Sequence, residues 1–285
     1  MTRRMLWTVL AFVAVSYVAI CVLLFAFQSR LVYLPGVNGE VSVTPRAAGL
    51  EFEDVTLQTA DGVRINGWFV PARAQRGVAL IFHGNAGNIS HRLEWLLMFY
   101  RMGYSSFIVD YRGYGNSGGK PTEEGTYLDA QAAWAHLTDT RKVSPQDIVL
   151  VGESLGGAVA AWLAARTRPR ALVLHSAFTS VPDLGSQIYP VFPVRWLARI
   201  KYDTLESVRK VECALLVAHS RNDEIVPFAH GRALYDTARE PKAFLELTGG
   251  HNDGFIFTRQ QWVDALAQFL EARQPKSNGT ADKRR

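Results

Sequence analysis

The stretch DIVLVGESLGGAVAAW, residues 147–162, decides the fold of this chain. Its apolar and mostly β-branched start, Ile148 to Val151, is typical of a strand buried on both faces, and the small residues that follow suit a helix packed closely on a sheet. Between the two lies the pattern G-x-S-x-G, in which a serine occupies a sharp, strained turn with its hydroxyl pointing out of the top of the sheet. Side chains at Gly152 and Gly156 would hit the neighbouring strand and helix. This context favours Ser154 as a nucleophile over a chance match in a Gly-rich loop.

Strands and helices alternate on both sides of this stretch. Runs rich in apolar or β-branched residues predict seven further strands, at 52–58, 63–70, 78–82, 105–109, 171–174, 213–218 and 243–247. Asp61-Gly62 between the first two runs predicts a hairpin. Helices are predicted at 91–102 and 123–137, and Thr258 with Gln261 predicts a capping box for the closing helix. The alternation predicts one α/β domain with a mostly parallel sheet covered by helices on both faces.

Composition limits the classes of function. Charged residues make up 20% and hydrophobic residues 48% of the 285 residues, which is typical of a globular chain. Cys21 and Cys213 lie far apart in apolar surroundings, and the seven histidines show no ligand-like spacing with them, so neither a disulfide framework nor a metal site is predicted. Much of the net charge of +5 sits at the two ends. The chain is therefore not expected to bind nucleic acid, for which a clustered basic face is typical.

The N-terminal segment predicts a membrane anchor. Residues 5–27 carry no charge, and a helix of about 23 residues spans roughly 34 Å, enough for a hydrocarbon core of about 30 Å. Arg3 and Arg4 precede this span and only Arg30 follows it closely. The positive-inside rule then places the N-terminus in the cytosol and the main domain outside it, in the periplasm of a bacterium. The alternative is a long cleaved signal peptide, which would leave a soluble secreted protein.

We therefore predict this division of the chain: 1–29, cytosolic N-terminus and signal anchor; 30–50, connector; 51–273, α/β domain; 274–285, disordered basic tail. Residues 177–210 form a long Pro-rich and apolar insertion between the sixth and seventh strands. Loops of this length inside a compact domain are usually functional, so a small cap over the site is expected. The alternative is that the insertion only packs on the edge of the sheet.

A serine nucleophile needs backbone amides that stabilise the developing negative charge on the substrate oxygen. In this topology one amide belongs to the residue after the nucleophile, here Leu155, and the other to the loop after the third strand. That loop reads HGNAGN at residues 83–88. The second amide is assigned to Asn85, with Ala86 as the alternative. His83 and Gly84 are expected to support the loop, although His83 also competes for the role of base.

The nucleophile also needs a base and an acid, in the chain order Ser, Asp or Glu, His. Asp223 and Glu224 both follow the seventh strand, and we choose Asp223, with Glu224 as its solvated neighbour and Asp203 as a distant competitor. After the eighth strand, Gly249-Gly250 allow the chain to swing His251 back towards Ser154. Four other histidines are more readily explained as structural: His136, His175, His219 and His230.

The assembled pattern resembles the α/β-hydrolase superfamily of serine hydrolases, and more narrowly its membrane-anchored branch related to the yeast bud-emergence homologue. Besides the elbow at 152–156, the resemblance rests on HGNAGN at 83–88, YRGYGNS at 111–117, SRNDEIVP at 220–227 and GGHND at 249–253. It covers residues 50–272 in order. It implies an eight-stranded sheet with an antiparallel second strand, no cofactor, and hydrolysis of a carboxylic ester or thioester.

The expected function is that of a membrane-anchored serine hydrolase acting on carboxylic esters, with an acyl or lipid-like substrate and an acyl-enzyme on Ser154. A thioesterase or a peptidase-like hydrolase uses the same chemistry and stays open as an alternative. A non-enzymatic membrane scaffold would be favoured by a missing triad residue, and none is missing from the sequence. Neither the substrate nor the oligomeric state follows from the sequence, because this fold hosts many chemistries.

Overall fold

An eight-stranded sheet forms the centre of the molecule, for which a computed structural model describes residues 2–37 and 39–273. In spatial order the strands run β1-β2-β4-β3-β5-β6-β7-β8. Their bounds are β1 Glu53–Gln58, β2 Arg64–Val70, β3 Val78–Phe82, β4 Ser105–Val109, β5 Ile148–Glu153, β6 Ala171–His175, β7 Ala214–Ser220 and β8 Lys242–Leu247. β2 is antiparallel to both of its neighbours, and the other pairs are parallel. The predicted fold class and the antiparallel second strand are confirmed.

Nine α-helices lie within the described ranges: α1 Arg3–Val32, α2 Leu93–Arg101, α3 Glu123–Ala135, α4 Leu155–Ala164, α5 Val181–Ile188, α6 Val194–Leu197, α7 Thr204–Lys210, α8 Phe228–Thr237 and α9 Gln260–Glu271. The two faces of the sheet bury separate apolar clusters. One cluster includes side chains of α3, α4, α7 and α8, and the other includes side chains of α2 and α9.

The central strands are buried on both faces because their side chains alternate between the two clusters. In β3, Val78, Leu80 and Phe82 belong to the cluster beneath α4, whereas Ala79 and Ile81 belong to the cluster beneath α2. Burial on both faces requires apolar residues at every position, which is why these strands read as uninterrupted apolar runs.

One local prediction is wrong: the expected capping box of the closing helix does not form. The closing helix α9 has Arg259 as its N-cap, without a side-chain hydrogen bond, and the Thr258 hydroxyl donates instead to the carbonyl of Phe255 at 2.7 Å. Thr258 therefore ends the preceding 3₁₀ turn and does not form the expected capping box. The helix expected over 123–137 ends at Ala135 and continues as a π-helical turn, His136–Thr140.

The N-terminal helix α1 runs to Val32, three residues past the expected end of the anchor at residue 29. It is long and apolar enough to cross a membrane, with none of its apolar window buried in the protein. The connector after it docks on the domain, since Tyr33 is buried and Leu34 forms an isolated β-bridge with Ala86. The segment at 177–210 folds into α5, α6 and α7. The predicted basic tail at 274–285 lies outside the described residues.

Candidate active site

Ser154 sits between β5 and α4 with φ 51° and ψ −113°, a backbone conformation that is costly for any residue with a side chain. Its N–H donates to the carbonyl of His175 in β6 at 2.9 Å, which ties the turn to the neighbouring strand. A Cβ built at Gly156 would fall on the carbonyl oxygen of Phe82, and one at Gly152 would lie 2.5 Å from Gly157 Cα. Helix α4 therefore approaches the sheet as closely as the bare backbone allows.

The serine opens into a cavity of about 430 Å³, within the range of about 300–1,000 Å³ usual for ligand pockets. Both Ser154 and His251 line this cavity. From the predicted oxyanion segments, Leu155 also lines the cavity, as do three residues of the loop at 83–88: Gly84, Asn85 and Ala86. Apolar side chains from α1, α5 and α6 supply much of the rest of the wall.

Asp223 holds the imidazole of His251. The Nδ1 atom of His251 lies 2.8 Å from Asp223 Oδ2 and 3.0 Å from Asp223 Oδ1. The carboxylate also accepts the N–H of Ile225 at 3.0 Å and of Val226 at 2.7 Å. Burial by itself raises the pKa of Asp223, but the hydrogen bond and charge of His251, with the N–H of Val226, hold that pKa below its ordinary value. The acid is thus ionised and oriented towards the histidine.

The competing acids have other contacts. Glu224 Oε2 accepts the backbone N–H of His251 at 2.9 Å, so it holds the loop and not the ring. Asp203 is the N-cap of α7, where its side chain accepts the N–H of Glu206 at 2.9 Å. Of these carboxylates, only Asp223 contacts the ring of His251.

The other histidines named as structural alternatives do not line the cavity within the described part of the chain. His175 and His219 are fully buried, and His230 is nearly so. Burial lowers the pKa of His175 to about 4 and also lowers the pKa values of His219 and His230. His136 accepts a hydrogen bond from Arg141 Nε at 2.9 Å. His219 touches the site indirectly, with Nε2 3.5 Å from Asp223 Oδ2.

The two candidate oxyanion segments meet beside Ser154. Leu155 is the first residue of α4, where a backbone N–H has no acceptor within its own helix. The carbonyl of Asn85 accepts the N–H of Leu34 at 3.0 Å and the hydroxyl of Tyr114 at 2.9 Å, which fixes the loop from the side of α1. His83 is fully buried: its Nδ1 lies 2.7 Å from the Gly84 carbonyl, and its Nε2 lies 3.3 Å from Asp110 Oδ1. These contacts support the loop and keep His83 away from the cavity.

Sequence reasoning missed an ion pair next to the serine. Glu153 is buried, lies 3.1 Å from Arg92 Nη2 and accepts the indole N–H of Trp95 at 3.0 Å. Burial by itself raises the pKa of Glu153, but Arg92 and the neighbouring donors outweigh it, so the pKa is lowered and the carboxylate stays charged. The variable position of G-x-S-x-G gave no signal for this partner, because Arg92 lies 61 positions away in the chain.

The second omission is α1 itself, which lines the cavity with Leu24, Gln28, Leu31 and Val32. The uncharged span at residues 5–27 carries no signal for this role, because a helix that is apolar on all sides does not indicate which face packs on protein. No group of three or more His, Cys, Asp or Glu side chains in the described ranges is arranged to hold a metal ion.

Comparisons with known proteins agree with this architecture. A sequence-family profile described as serine aminopeptidase, S33, matches residues 73–204. The uncharacterized protein Rv2307c of Mycobacterium tuberculosis is 37% identical over 268 residues, covering 92% of this chain and 94% of the relative. The uncharacterized membrane protein YNL320W of Saccharomyces cerevisiae is 34% identical over 258 residues, covering 87% and 90%. Protein bem46 of Schizosaccharomyces pombe is 34% identical over 231 residues, covering 76% and 77%.

A solved structure shows the same fold. The Pyrococcus furiosus esterase Pf2001 superimposes with a TM-score of 0.71 at 20% identity, covering 86% of this chain and 98% of that chain. The apolar helix α1 and the yeast membrane relative together support association with a membrane. From its sheet and from relatives that cover most of its length, the chain is a hydrolase that belongs to the α/β-hydrolase superfamily, in the branch that includes bem46.

Proposed function

We propose that this protein is a membrane-anchored serine hydrolase that cleaves carboxylic esters through an acyl-enzyme on Ser154. The observation that carries the proposal is the 2.8 Å contact between His251 Nδ1 and Asp223 Oδ2, with His251 and Ser154 lining one cavity. A carboxylate that accepts the Nδ1 proton leaves Nε2 free to act as a base.

Acylation follows from these positions. Ser154 Oγ attacks the ester carbonyl carbon while His251 Nε2 takes the hydroxyl proton, and Asp223 stabilises the resulting imidazolium. The backbone amides of Leu155 and Asn85 donate to the oxyanion, and each such donor is worth about 10² to 10³ in rate. Collapse of the intermediate breaks the ester C–O bond, and the leaving alkoxide takes the proton from His251.

Deacylation repeats the same steps with water as the nucleophile. His251 removes a proton from water, the hydroxide adds to the acyl carbon, and Ser154 leaves with the proton returned by His251. The products are a carboxylic acid and an alcohol, and the resting enzyme is restored. The apolar side chains around the cavity favour an acyl or lipid-like substrate, and the likeness in fold to a solved esterase is consistent with an ester bond.

A peptidase-like activity is the second candidate. Its support is the description of the matching family profile as a serine aminopeptidase. Two substrates distinguish the ester hydrolase from the peptidase-like hydrolase. Cleavage of p-nitrophenyl acetate reports ester hydrolysis, and cleavage of alanine p-nitroanilide reports release of an N-terminal residue. An acyl thioester beside them separates a thioesterase.

We also infer the membrane arrangement. Residues 5–27 span the bilayer, Arg3 and Arg4 lie in the cytosol, and the hydrolase domain of residues 51–273 lies on the extracytoplasmic side. Residues 30–50 connect the two, and residues 177–210 cap the site.

The test of the ester hydrolase uses the full chain in detergent with p-nitrophenyl acetate. We expect Ser154→Ala to lower kcat by about a millionfold, to the level of background, as removal of a triad serine does. The matched control is Ser186→Ala, since the Ser186 hydroxyl only donates to the carbonyl of Asp183 in α5. Unchanged hydrolysis by Ser154→Ala would exclude this role for the serine.

A further inference from the structure

The second half of α1 forms one wall of the catalytic cavity. Its lining residues Leu24, Gln28, Leu31 and Val32 follow the i, i+4, i+7, i+8 spacing of a single helix face. Leu23, the residue before Leu24, is 55% exposed and is not among the described residues that line the cavity. The helix that anchors the protein is therefore also part of the site.

The opposite wall belongs to α5 and α6, through apolar side chains such as Leu184, Ile188 and Leu197. Ile188 lines the cavity and is nevertheless 51% exposed, and Tyr189 beside it also does both. The cavity thus reaches the surface at this edge of the cap, between α1 and the turn after α5.

Specific contacts fasten the cap to α1. Gln28 Oε1 accepts the backbone N–H groups of Arg199 at 2.7 Å and Ile200 at 3.1 Å. Nearer the start of the helix, the Tyr17 hydroxyl donates to the carbonyl of Val191 at 2.9 Å, and its ring stacks on Phe192 at 5.5 Å. The cap therefore follows α1 from Gln28 back to Tyr17.

The length of the contact between the cap and α1 indicates how deep the cap lies in the membrane. Tyr17 lies eleven residues before Gln28, which is about 16 Å along a helix, and half of a hydrocarbon core is about 15 Å. Tyr17 lies near the middle of the uncharged span 5–27. The part of the cap that reaches it, residues 188–197 and called here the cap edge, therefore extends below the membrane surface.

The cap edge has the surface that such a position requires. Val191 is 71% exposed and Trp196 is 91% exposed. The carbonyl of Val191 accepts the Tyr17 hydroxyl of α1, and the carbonyl of Leu197, the residue after Trp196, accepts the side-chain amide of Gln28 in α1. The charged group on this edge, Arg195, is paired with Asp183 at 2.5 Å, and Arg199, just after the edge, stacks over the ring of Phe25 at 4.6 Å. Long cationic side chains at this level can extend their charged groups towards the lipid headgroups while their stems stay in apolar surroundings.

We propose that the cap edge, residues 188–197, inserts into one leaflet beside α1, and that the acyl chain of a bilayer lipid enters the cavity from that leaflet between α1 and the cap. The second part deepens the proposed function and rests on it, because it names the lipid acyl ester as the substrate class. The first part, insertion of the cap edge, is independent of catalysis.

Insertion is tested on the full chain in phosphatidylcholine vesicles. Trp196→Cys in a Cys21→Ala, Cys213→Ala background carries an environment-sensitive NBD label, and doxyl-labelled lipids quench NBD within the bilayer. The control site is Arg168→Cys, whose side chain is 81% exposed and which precedes β6 at the opposite edge of the sheet from Ser154. We expect strong quenching at position 196 and none at 168. Equal quenching at both positions, or none at either, would overturn insertion.

The entry path of the acyl chain is tested by placing a larger side chain on the face of α1 that lines the cavity. Leu24→Trp places an indole in the wall, and Leu23→Trp is the matched control on the exposed side of the same helix. For p-nitrophenyl palmitate dissolved in the vesicles, we expect Leu24→Trp to lower kcat/KM at least about tenfold, as loss of the burial of two methylenes would. The loss that Leu24→Trp causes for palmitate should exceed the loss it causes for p-nitrophenyl acetate, and Leu23→Trp should leave the hydrolysis of both esters unchanged.

The outcomes are distinguishable from failure of the proposed function. If the wild-type protein hydrolyses neither ester, the ester hydrolase is wrong, while the quenching experiment still decides insertion. If the wild type is active and Leu24→Trp reduces both esters equally, or reduces neither, then the acyl chain does not pass along α1 and the entry path is wrong.

Discussion

The carboxylate of Asp223 makes several contacts at once in the site. It lies 2.8 Å from the Nδ1 atom of His251 and accepts the backbone N–H groups of Ile225 and Val226. It also lies 3.5 Å from the Nε2 atom of His219. The donors from the following turn fix the carboxylate, and the carboxylate in turn fixes one tautomer of His251. The position and the charge of the proposed base, His251, therefore depend on the buried side chain of Asp223.

Asp223→Asn should lower kcat for p-nitrophenyl acetate by about 10⁴, because an amide keeps the shape but favours the wrong tautomer of the histidine. Glu224→Gln is the control, since a glutamine oxygen can still accept the N–H of His251, and we expect a loss of less than about tenfold. A larger loss in Glu224→Gln than in Asp223→Asn would make Glu224 the acid.

His175 predicts a loss of stability in mild acid. Its pKa is lowered to about 4 by burial, against about 6.5 in an unfolded chain. Between these two pH values the unfolded chain binds a proton that the folded chain does not. The contribution of neutral His175 to the free energy of unfolding is therefore fully present above about pH 6.5, and it falls by about 1.4 kcal/mol per pH unit towards pH 4. His175→Phe keeps the stacking on Phe255 and should flatten the dependence of the melting temperature on pH. An unchanged slope in the variant would mean that His175 is protonated in the folded state.

At the scale of elements, α4 packs on β3 with almost no space between the two backbones. A Cβ at Gly156 would collide with the carbonyl of Phe82, whereas a Cβ at Gly36 would meet nothing within 4 Å. The backbone of α4 can therefore reach the sheet only without a side chain at this position, and this approach sets the location of Leu155 and Ser154.

Gly156→Ala should destabilise the protein by about 1–3 kcal/mol through overpacking and lower the melting temperature by about 5 °C. Gly36→Ala, the control, should change stability by less than about 0.5 kcal/mol. Thermal unfolding of both variants in the same detergent is the measurement. Equal stability of the two variants would show that α4 can shift away from β3 at little cost.

The strands were the most predictable elements because burial on both faces leaves a plain apolar run. The expected bounds of β3 and β4 match the structure, at 78–82 and 105–109. The elbow strand was expected to end at Val151, but Gly152 and Glu153 continue to pair with Leu174 and His175. Glycine and a charged residue do not read as strand. Their place in β5 depends on a neighbouring strand and on Arg92, which are distant in sequence.

At the scale of the whole molecule, the chain order gave the candidate acid and base, whereas the path of α1 was not predictable. The Asp223–His251 contact was expected because both residues follow strands at the same edge of a parallel sheet. A helix that is apolar on all sides carries no stripe that indicates which face packs on protein. The docking of α1 on the cap depends on Tyr17 and Gln28, whose partners lie about 170 residues later in the chain.

The proposed orientation of the whole molecule is tested by protease protection. With Arg3 and Arg4 in the cytosol, a C-terminal epitope tag on the full chain should be removed by protease added to intact bacterial spheroplasts. Arg3→Glu with Arg4→Glu removes the charge bias and should protect a fraction of the tags. Complete protection in the wild-type chain would place the hydrolase domain in the cytosol.

Covalent labelling tests the central claim, that Ser154 is the nucleophile, most directly. The folded full-length protein is treated with a fluorophosphonate, digested and mapped by mass spectrometry. We expect one adduct, on Ser154, which disappears in Ser154→Ala and persists in Ser186→Ala. An adduct on any other residue, or no adduct on a folded protein that still hydrolyses p-nitrophenyl acetate, would contradict the assignment.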